Sequence, residues 1–88
     1  MSEDHDTRLR RLHMRSIRRG IKEMDIVLGG FAETGLRDLS VEMLDVYERL
    51  LSENDHDIYA WIMGKDPAPQ PYVGLLQVVM EKLEISSG

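Results

Sequence analysis

The eight residues RRGIKEMD, at positions 18–25, decide how the first half of the chain folds, because they place a glycine inside a helical pattern. Apolar residues recur around that glycine at the three- and four-residue spacings of one helix face: Ile17, Ile21, Met24, Leu28 and Phe31. Glycine inside a helix costs ~1 kcal/mol relative to alanine, and it permits backbone angles that a β-carbon forbids. The pattern therefore predicts two short helices that meet at Gly20 rather than one long helix.

Outward from this point the chain is predicted to be helical throughout. The first helix is expected over residues 7–18 with Asp6 or Thr7 as its N-cap, and residues 36–39 are expected to form a loop. Three further helices are predicted, over residues 41–51, over about 56–63 and from Tyr72 onward.

The breaks between these later helices carry their own signals. Ser40 is a candidate cap for the third helix, Asn54 or Asp55 for the fourth, and Gly64 for its end. Residues 66–71, DPAPQP, form a stiff connector, because proline cannot occupy a helix interior. We therefore expect an all-α fold, a small five-helix bundle in a single domain.

The domain is expected to span residues 7–84, with a flexible acidic tail over residues 1–6 and a flexible tail over residues 85–88. A chain of 88 residues can build one modest core. Trp61 is predicted to belong to that core, where truncation would cost ~3–5 kcal/mol. Tyr59 falls off the apolar face of its helix, so it is open between surface packing and contact with a partner.

Composition excludes several classes of protein. With no cysteine, the chain can form neither a disulfide nor a thiolate metal site. No run approaches the ~20 apolar residues of a membrane helix, and the acidic start MSEDHD is unlike a mitochondrial transit peptide. We therefore expect a soluble, cytoplasmic, bacterial protein that does not enter a membrane.

The charge of the chain is divided unevenly. Residues 1–22 hold seven basic and three acidic side chains, a net charge of +4, whereas residues 23–88 hold four basic and thirteen acidic ones, a net charge of −9. Four arginines lie on adjacent turns of the predicted first helix and form a basic ridge: Arg8, Arg11, Arg15 and Arg18. Such a ridge is compatible with a solvated face, an acidic partner or, as the alternative function, a nucleic acid, although the acidic remainder of the chain would repel phosphates.

Residues suited to catalysis or metal binding are scarce. His5, His13 and His56 do not stand three to five residues apart, so the metal-binding pair of a helix is missing. No glycine-rich phosphate loop and no nucleophile elbow is present. We therefore predict that the chain is not an enzyme and holds no metal.

The same eight residues also suggest a binding site. Arg19 and Glu23 are four residues apart, so on one helix they would be neighbours. A surface ion pair of this kind contributes only ~0.3–0.5 kcal/mol, which is less than the glycine between them costs. One hypothesis accounts for both: Gly20 allows close approach of another molecule, and Arg19 and Glu23 form a charged clamp beside it.

Three segments of the sequence resemble the succinate dehydrogenase assembly factor family, whose members promote covalent attachment of FAD. Residues 19–23, RGIKE, match the RGxxE motif of that family, and residues 47–51, YERLL, resemble the end of one of its helices. Residues 57–61, DIYAW, and 65–69, KDPAP, resemble a third segment, although Asp66 stands where close relatives often read Lys-Pro. The resemblance covers roughly residues 8–83.

The resemblance implies a fold and a function. Members of the family are five-helix bundles that bind the flavoprotein subunit of succinate dehydrogenase, or in some bacteria that of fumarate reductase, and assist the bonding of FAD to a histidine of that subunit. On this basis the expected partner-binding residues are Arg18, Arg19, Gly20, Glu23 and Asp25, together with Arg15 and Arg11 of the basic helix. FAD would be carried by the flavoprotein and not held stably by this chain, which is expected to be a monomer when free and to bind no nucleic acid.

Overall fold

Ser40 and Asn54 cap the helices that the sequence assigns to them. The Oγ of Ser40 accepts a hydrogen bond from the Met43 amide at 3.2 Å, and the Oδ1 of Asn54 accepts one from the His56 amide at 2.9 Å.

In this computed structural model, which describes residues 3–87 and the side chains of residues 3–83, the elements are five α-helices and one turn of 3₁₀ helix. They are α1 (His5–Ile17), α2 (Lys22–Thr34), the 3₁₀ turn (Leu36–Asp38), α3 (Val41–Leu50), α4 (Asp55–Ile62) and α5 (Gln70–Ser87). The predicted all-α, single-domain bundle is confirmed.

The two ends of the domain differ from the prediction. Asp4 is the N-cap of α1, with its Oδ1 accepting from the Thr7 amide at 2.7 Å, so His5 and Asp6 are helical although they were predicted to be tail. At the other end, α5 extends through Ser87 into the segment predicted as a tail. Met1, Ser2 and Gly88 lie outside the described residues.

Two connections also differ from the sequence-based expectation. Pro71 lies in the first turn of α5, where a missing amide hydrogen costs nothing because that position has no intrahelical acceptor. The predicted loop at 36–39 holds the 3₁₀ turn, which lets Leu36 and Leu39 both reach the core.

The core lies between all five helices and is centred on Tyr47 of α3. The ring of Tyr47 is fully buried and packs against that of Phe31, with the ring centroids 5.7 Å apart. Each helix supplies buried apolar residues, among them Leu12, Met24, Leu28, Leu44, Leu50, Ile58, Leu75 and Val79. Of α1, by contrast, only Leu12 and Ser16 are buried, so this helix contributes little apolar surface to the core.

Two apolar side chains, those of Ile17 and Trp61, lie elsewhere than the sequence suggested, and the structure bears on Tyr59, which the sequence left open. Ile17, at the end of α1, is 41% exposed and lies against Gly29 of α2, where a β-carbon would come within 3.1 Å of Ile17 Cγ2. Trp61 is only half-buried at the edge of the core, where its ring stacks on that of Tyr72. Tyr59 also packs against the core, which favours the packing role over partner contact.

A polar contact joins α1 to the centre of the core. The hydroxyl of Ser16 donates to the Leu12 carbonyl at 2.7 Å, so the Tyr47 hydroxyl must be the donor in the 2.6 Å contact between the two side chains. Burial raises the pKa of the Tyr47 phenol to about 12. Tyr47 is therefore held protonated in the folded protein.

The outer edges of α1 and α3 are joined by a series of charged and polar contacts, here called the α1–α3 ladder. Arg8 donates to Asp45 Oδ1 at 2.6 Å, Arg11 to Glu48 Oε2 at 3.0 Å, and Arg15 to Ser52 Oγ at 3.3 Å, each across 37 residues. A constant separation means that both helices advance in the same direction, so α1 and α3 run parallel.

Glu48 is the central acceptor of the ladder, since Arg8 also donates to it at 3.2 Å. The hydrogen bond from Arg11, followed by the charges of Arg11 and Arg8, holds the pKa of Glu48 below its usual value.

We expect Tyr47→Phe to lose less of its free energy of unfolding at alkaline pH than the wild type does. Because folding raises the pKa of Tyr47 from 10.0 to about 12, its contribution is complete below pH 10 and is lost as the pH rises toward 12. The free energy of unfolding of the wild type should therefore fall by roughly 2–3 kcal/mol more than that of Tyr47→Phe over this range. Urea titrations at several pH values would measure it, and parallel curves for the two proteins would contradict the assignment.

We expect Glu48→Gln to reduce the dependence of stability on acid pH. A carboxyl whose pKa is lowered on folding stabilises the protein above its unfolded pKa, and this contribution disappears as the pH falls through the folded pKa. The variant should be destabilised by less than about 1 kcal/mol at pH 7, because the ladder is partly exposed, and by progressively less toward pH 3. Thermal melts from pH 7 to 3 would show this, with the exposed Glu81→Gln on α5 as the control that should behave like the wild type.

Candidate functional site

The turn between α1 and α2, residues 18–21, is held by two carboxylates from different parts of the chain. The amide of Arg19 donates to Asp25 Oδ1 at 2.7 Å, and the next amide, of Gly20, donates to Asp55 Oδ2 at 2.6 Å. Ile21, the N-cap of α2, supplies no side-chain cap. The path of the turn is therefore fixed by Asp25 on one side and by Asp55 on the other.

The side chain of Arg19 points into the protein and is only 10% exposed. Its Nε donates to Asp55 Oδ1 at 2.7 Å, and its two terminal nitrogens donate to the carbonyls of Leu51 at 2.8 Å and Glu53 at 3.3 Å. Leu51 is the C-cap of α3, so the guanidinium satisfies carbonyls where the negative end of that helix dipole lies. The predicted clamp between Arg19 and Glu23 is therefore wrong: Arg19 pairs with Asp55 and extends the α1–α3 ladder by one contact.

Gly20 is exposed on the outer side of this turn, as the binding hypothesis requires. Gly20 does not use the backbone freedom that the sequence suggested. Among the described glycines only Gly64 has a positive φ, so Gly20 adopts backbone angles that other residues can also adopt. A β-carbon at position 20 would lie 3.1 Å from Asp55 Oδ2, closer than ordinary van der Waals contact. Glycine is favoured here because the Asp55 carboxylate approaches the backbone so closely.

The outer surface around Gly20 combines charge with apolar groups; we call it the turn surface. It is formed by Met14, Ile17, Arg18, Gly20, Lys22 and Glu23, all of them exposed. A shallow depression of about 300 Å³ lies at its edge, between Met14, Arg15, Arg18 and Arg19. Among the side chains described, Arg18 forms no hydrogen bond or ion pair within the chain. This cation is therefore available to a second molecule.

The remaining predicted binding residues are engaged within the chain. Arg11 bonds to Glu3 and Glu48, and Arg15 bonds to Ser52, although their side chains stay 38% and 36% exposed. Asp25 is half-buried with its carboxylate turned to the Arg19 amide. Much of the basic ridge is thus neutralised internally, which weakens the case for nucleic-acid binding.

Sequence reasoning missed Asp55 and the acidic side of the ladder, although a signal was present. Four residues between α3 and the first residue of α4 recur at helical spacing: Asp45, Glu48, Ser52 and Asp55. That spacing of three, four and three matches the three, four and four of Arg8, Arg11, Arg15 and Arg19. Two complementary polar stripes in one small domain predict that the stripes face each other.

The arrangement offers charged, polar and apolar groups suited to binding another molecule. Within the described part of the chain, no three histidine, aspartate or glutamate side chains converge on a point where a metal ion could bind. Nor is any helix in that part both long enough and apolar enough to cross a membrane.

A second, open groove of about 470 Å³ lies between the end of α4 and α5, lined chiefly by Trp61, Pro67, Val73, Leu76 and Met80.

Similar proteins are found among the mitochondrial proteins of fungi. The chain is 39% identical over 80 residues to a protein of Schizosaccharomyces japonicus, 45% over 62 residues to one of Candida glabrata and 38% over 84 residues to one of Yarrowia lipolytica. These alignments cover 89%, 70% and 92% of this chain but 56%, 40% and 57% of the relatives, so the chain spans about half the length of the curated relatives it matches. Each of the three is named succinate dehydrogenase assembly factor 2, mitochondrial.

A family model covers nearly the whole of the described structure. The model described as flavinator of succinate dehydrogenase matches residues 10–85, from the middle of α1 to the last turns of α5. The matched region includes the turn surface and the Arg19–Asp55 contact. This chain belongs to the family of flavinators of succinate dehydrogenase.

Proposed function

We propose that this chain binds the flavoprotein subunit of succinate dehydrogenase through the turn surface and promotes covalent attachment of FAD to that subunit. Membership of the flavinator family and the name shared by its relatives support an assembly role. The observation that carries the choice of surface is the exposed Gly20, which stands beside Arg18, a cation with no partner among the described side chains, on a turn where the Arg19 and Gly20 amides are already bonded to carboxylates. A partner can approach the backbone there without displacing an internal hydrogen bond.

In this proposal the chain performs no chemistry of its own. FAD is carried by the flavoprotein, where it supplies the reactive ring carbon that becomes bonded to a histidine. The assembly factor holds a mobile part of the flavoprotein in an arrangement that brings histidine and flavin together. Positioning of this kind lowers a barrier by reducing the motional freedom that the reacting groups must lose. It requires only that the factor bind the productive arrangement more tightly than the others.

The turn surface has the electrostatic character that this role needs. Arg18 and Lys22 present positive charge, while Met14 and Ile17 present apolar area beside it. Cations at the rim of an interface speed association and favour acidic partner surfaces. The apolar groups contribute affinity when they are covered. The flavoprotein of fumarate reductase is a second client that the same surface could serve.

Location and state of assembly remain predictions. The relatives are named mitochondrial, whereas the sequence favoured the cytoplasm of a bacterium. The free chain is proposed to be a monomer, because its apolar stripes are used by a single core.

We expect Gly20→Leu to abolish binding of the flavoprotein while leaving the helical content largely unchanged. A leucine at this position would crowd the Asp55 carboxylate, whose Oδ2 lies 3.1 Å from the place of the added β-carbon, and would add bulk where the partner is proposed to approach the backbone. Pull-down with the flavoprotein and a circular-dichroism melt would be measured together. The matched control is Gly74→Leu, since a β-carbon at the exposed Gly74 of α5 meets no atom within 4 Å, and it should bind normally. Normal binding by Gly20→Leu would refute the proposed surface.

We expect Glu23→Ala to lower the yield of covalent flavin on the co-expressed flavoprotein subunit. Glu23 is exposed in the first turn of α2 and pairs with no cation among the described side chains, so its charge is available to the partner. Flavin fluorescence of the denatured subunit on a gel would be the readout. Glu33→Ala, an exposed glutamate near the other end of the same helix, should keep the wild-type yield. Equal fluorescence for both variants would contradict a role for Glu23.

A further inference from the structure

Asp55 contacts a part of the chain that is distant from it in sequence. It is the first residue of α4, yet its carboxylate reaches back to a turn that lies 35 and 36 residues earlier. One oxygen accepts from the Arg19 guanidinium at 2.7 Å and the other from the Gly20 amide at 2.6 Å. The carboxyl side chain is 15% exposed, so most of it is turned away from solvent.

The two bonds place separate demands on Asp55. An ion pair with Arg19 needs a negative charge, whereas the Gly20 amide needs an acceptor at one particular point beside the backbone. A carboxylate meets both demands, because it has two acceptor oxygens and no donor. An amide side chain would meet one of them and present a donor to the other.

Arg19 is arranged to serve Asp55 and the loop around it. Besides Asp55, its guanidinium binds the carbonyls of Leu51 and Glu53, and none of these bonds points toward the turn surface. Glu53 is in turn fixed by the Tyr72 hydroxyl of α5, which donates to its Oε2 at 2.7 Å. The loop between α3 and α4 is thus bonded both to Arg19 and to α5. Asp55, at the end of this loop, fixes the Gly20 amide relative to it.

We propose that Asp55 is a positioning residue for the docking surface: it fixes the Gly20 backbone in the conformation that the partner reads, and Arg19 acts through Asp55 rather than by touching the partner. The inference rests on the proposed docking function. It goes beyond that function in two ways. It gives a role to Asp55, which lies outside the RGxxE segment, and it makes Arg19 a residue that supports the interface rather than one that contacts the partner.

The first measurement concerns the chain alone. In the wild type the Gly20 amide should be protected from hydrogen exchange by its bond to Asp55. In Asp55→Asn, which keeps the shape of the side chain, the one remaining oxygen should stay with the Arg19 guanidinium and the NH2 group should face Gly20, so the Gly20 amide should exchange at least ~10-fold faster while core amides such as those of α3 remain protected. Asp57→Asn is the matched control, since it makes the same change two residues away, at an exposed carboxyl that bonds to no other described side chain. Its Gly20 amide should exchange as in the wild type.

The second measurement concerns the partner. Asp55→Asn should weaken binding to the flavoprotein by about 10-fold or more, whereas Asp55→Glu should recover part of the affinity and Asp57→Asn should leave it unchanged. A double-mutant cycle with Arg19→Gln tests the second half of the inference. If Arg19 acts through Asp55, the double variant should bind no more weakly than the weaker single variant.

Several results would overturn the inference. A Gly20 amide that exchanges equally in the wild type and in Asp55→Asn would remove the structural link, and a faster-exchanging variant with wild-type affinity would show that the link has no role in docking. Fully additive losses in the cycle would return Arg19 to the interface. If the wild type itself binds no flavoprotein, the proposed function fails and the inference with it, a result distinct from wild-type binding that Asp55→Asn leaves intact.

Discussion

The contact between Arg19 and Asp55 is the constraint on which the arrangement of the helices depends. It joins the turn after α1 to the start of α4 and also closes the end of α3, so three helices meet at one guanidinium. A largely buried pair of this kind costs ~3–5 kcal/mol when a single partner is removed, because the other is left without compensation. The pair thus contributes more to a unique arrangement than to net stability, since apolar residues of similar size can stabilise a core equally well.

The α1–α3 ladder joins α1 to α3, although α1 buries little apolar surface and packs mainly against α2. Only Leu12 and Ser16 of α1 are buried, and the rest of the contact with α3 is made by long arginine side chains that reach carboxylates and a hydroxyl. Each exposed pair contributes ~0–1 kcal/mol, but several in one line fix the direction and register of the two helices. The ladder also pairs three of the basic side chains of the N-terminal segment with acceptors inside the protein. Among the described basic side chains of that segment, those left for a partner are Arg10, Arg18 and Lys22, rather than a basic face along the whole of α1.

The features that could be predicted from sequence are those set by neighbours along the chain. The break at Gly20, the caps at Ser40 and Asn54 and the all-α class follow from helical spacing and local hydrogen bonding. The cap of α1 was displaced because three acceptors, Asp4, Asp6 and Thr7, stand close together and only their geometry chooses between them. The direction of Arg19 was missed for a different reason. Residues 18–21 are not helical, so the four-residue rule that pairs Arg19 with Glu23 does not hold there, and the true partner is supplied by a segment 36 residues away.

The RGxxE string contains two structurally different parts. Its glycine and glutamate face solvent, whereas its arginine is directed inward and is completed by an aspartate that no five-letter pattern contains. A pattern search restricted to those five letters therefore tests only half of the arrangement. A protein that carried the string but lacked an acid at the start of the fourth helix would spell the motif without being able to hold its backbone in the same shape. The structural unit is better written as a discontinuous signature, an Arg-Gly pair together with a distant aspartate.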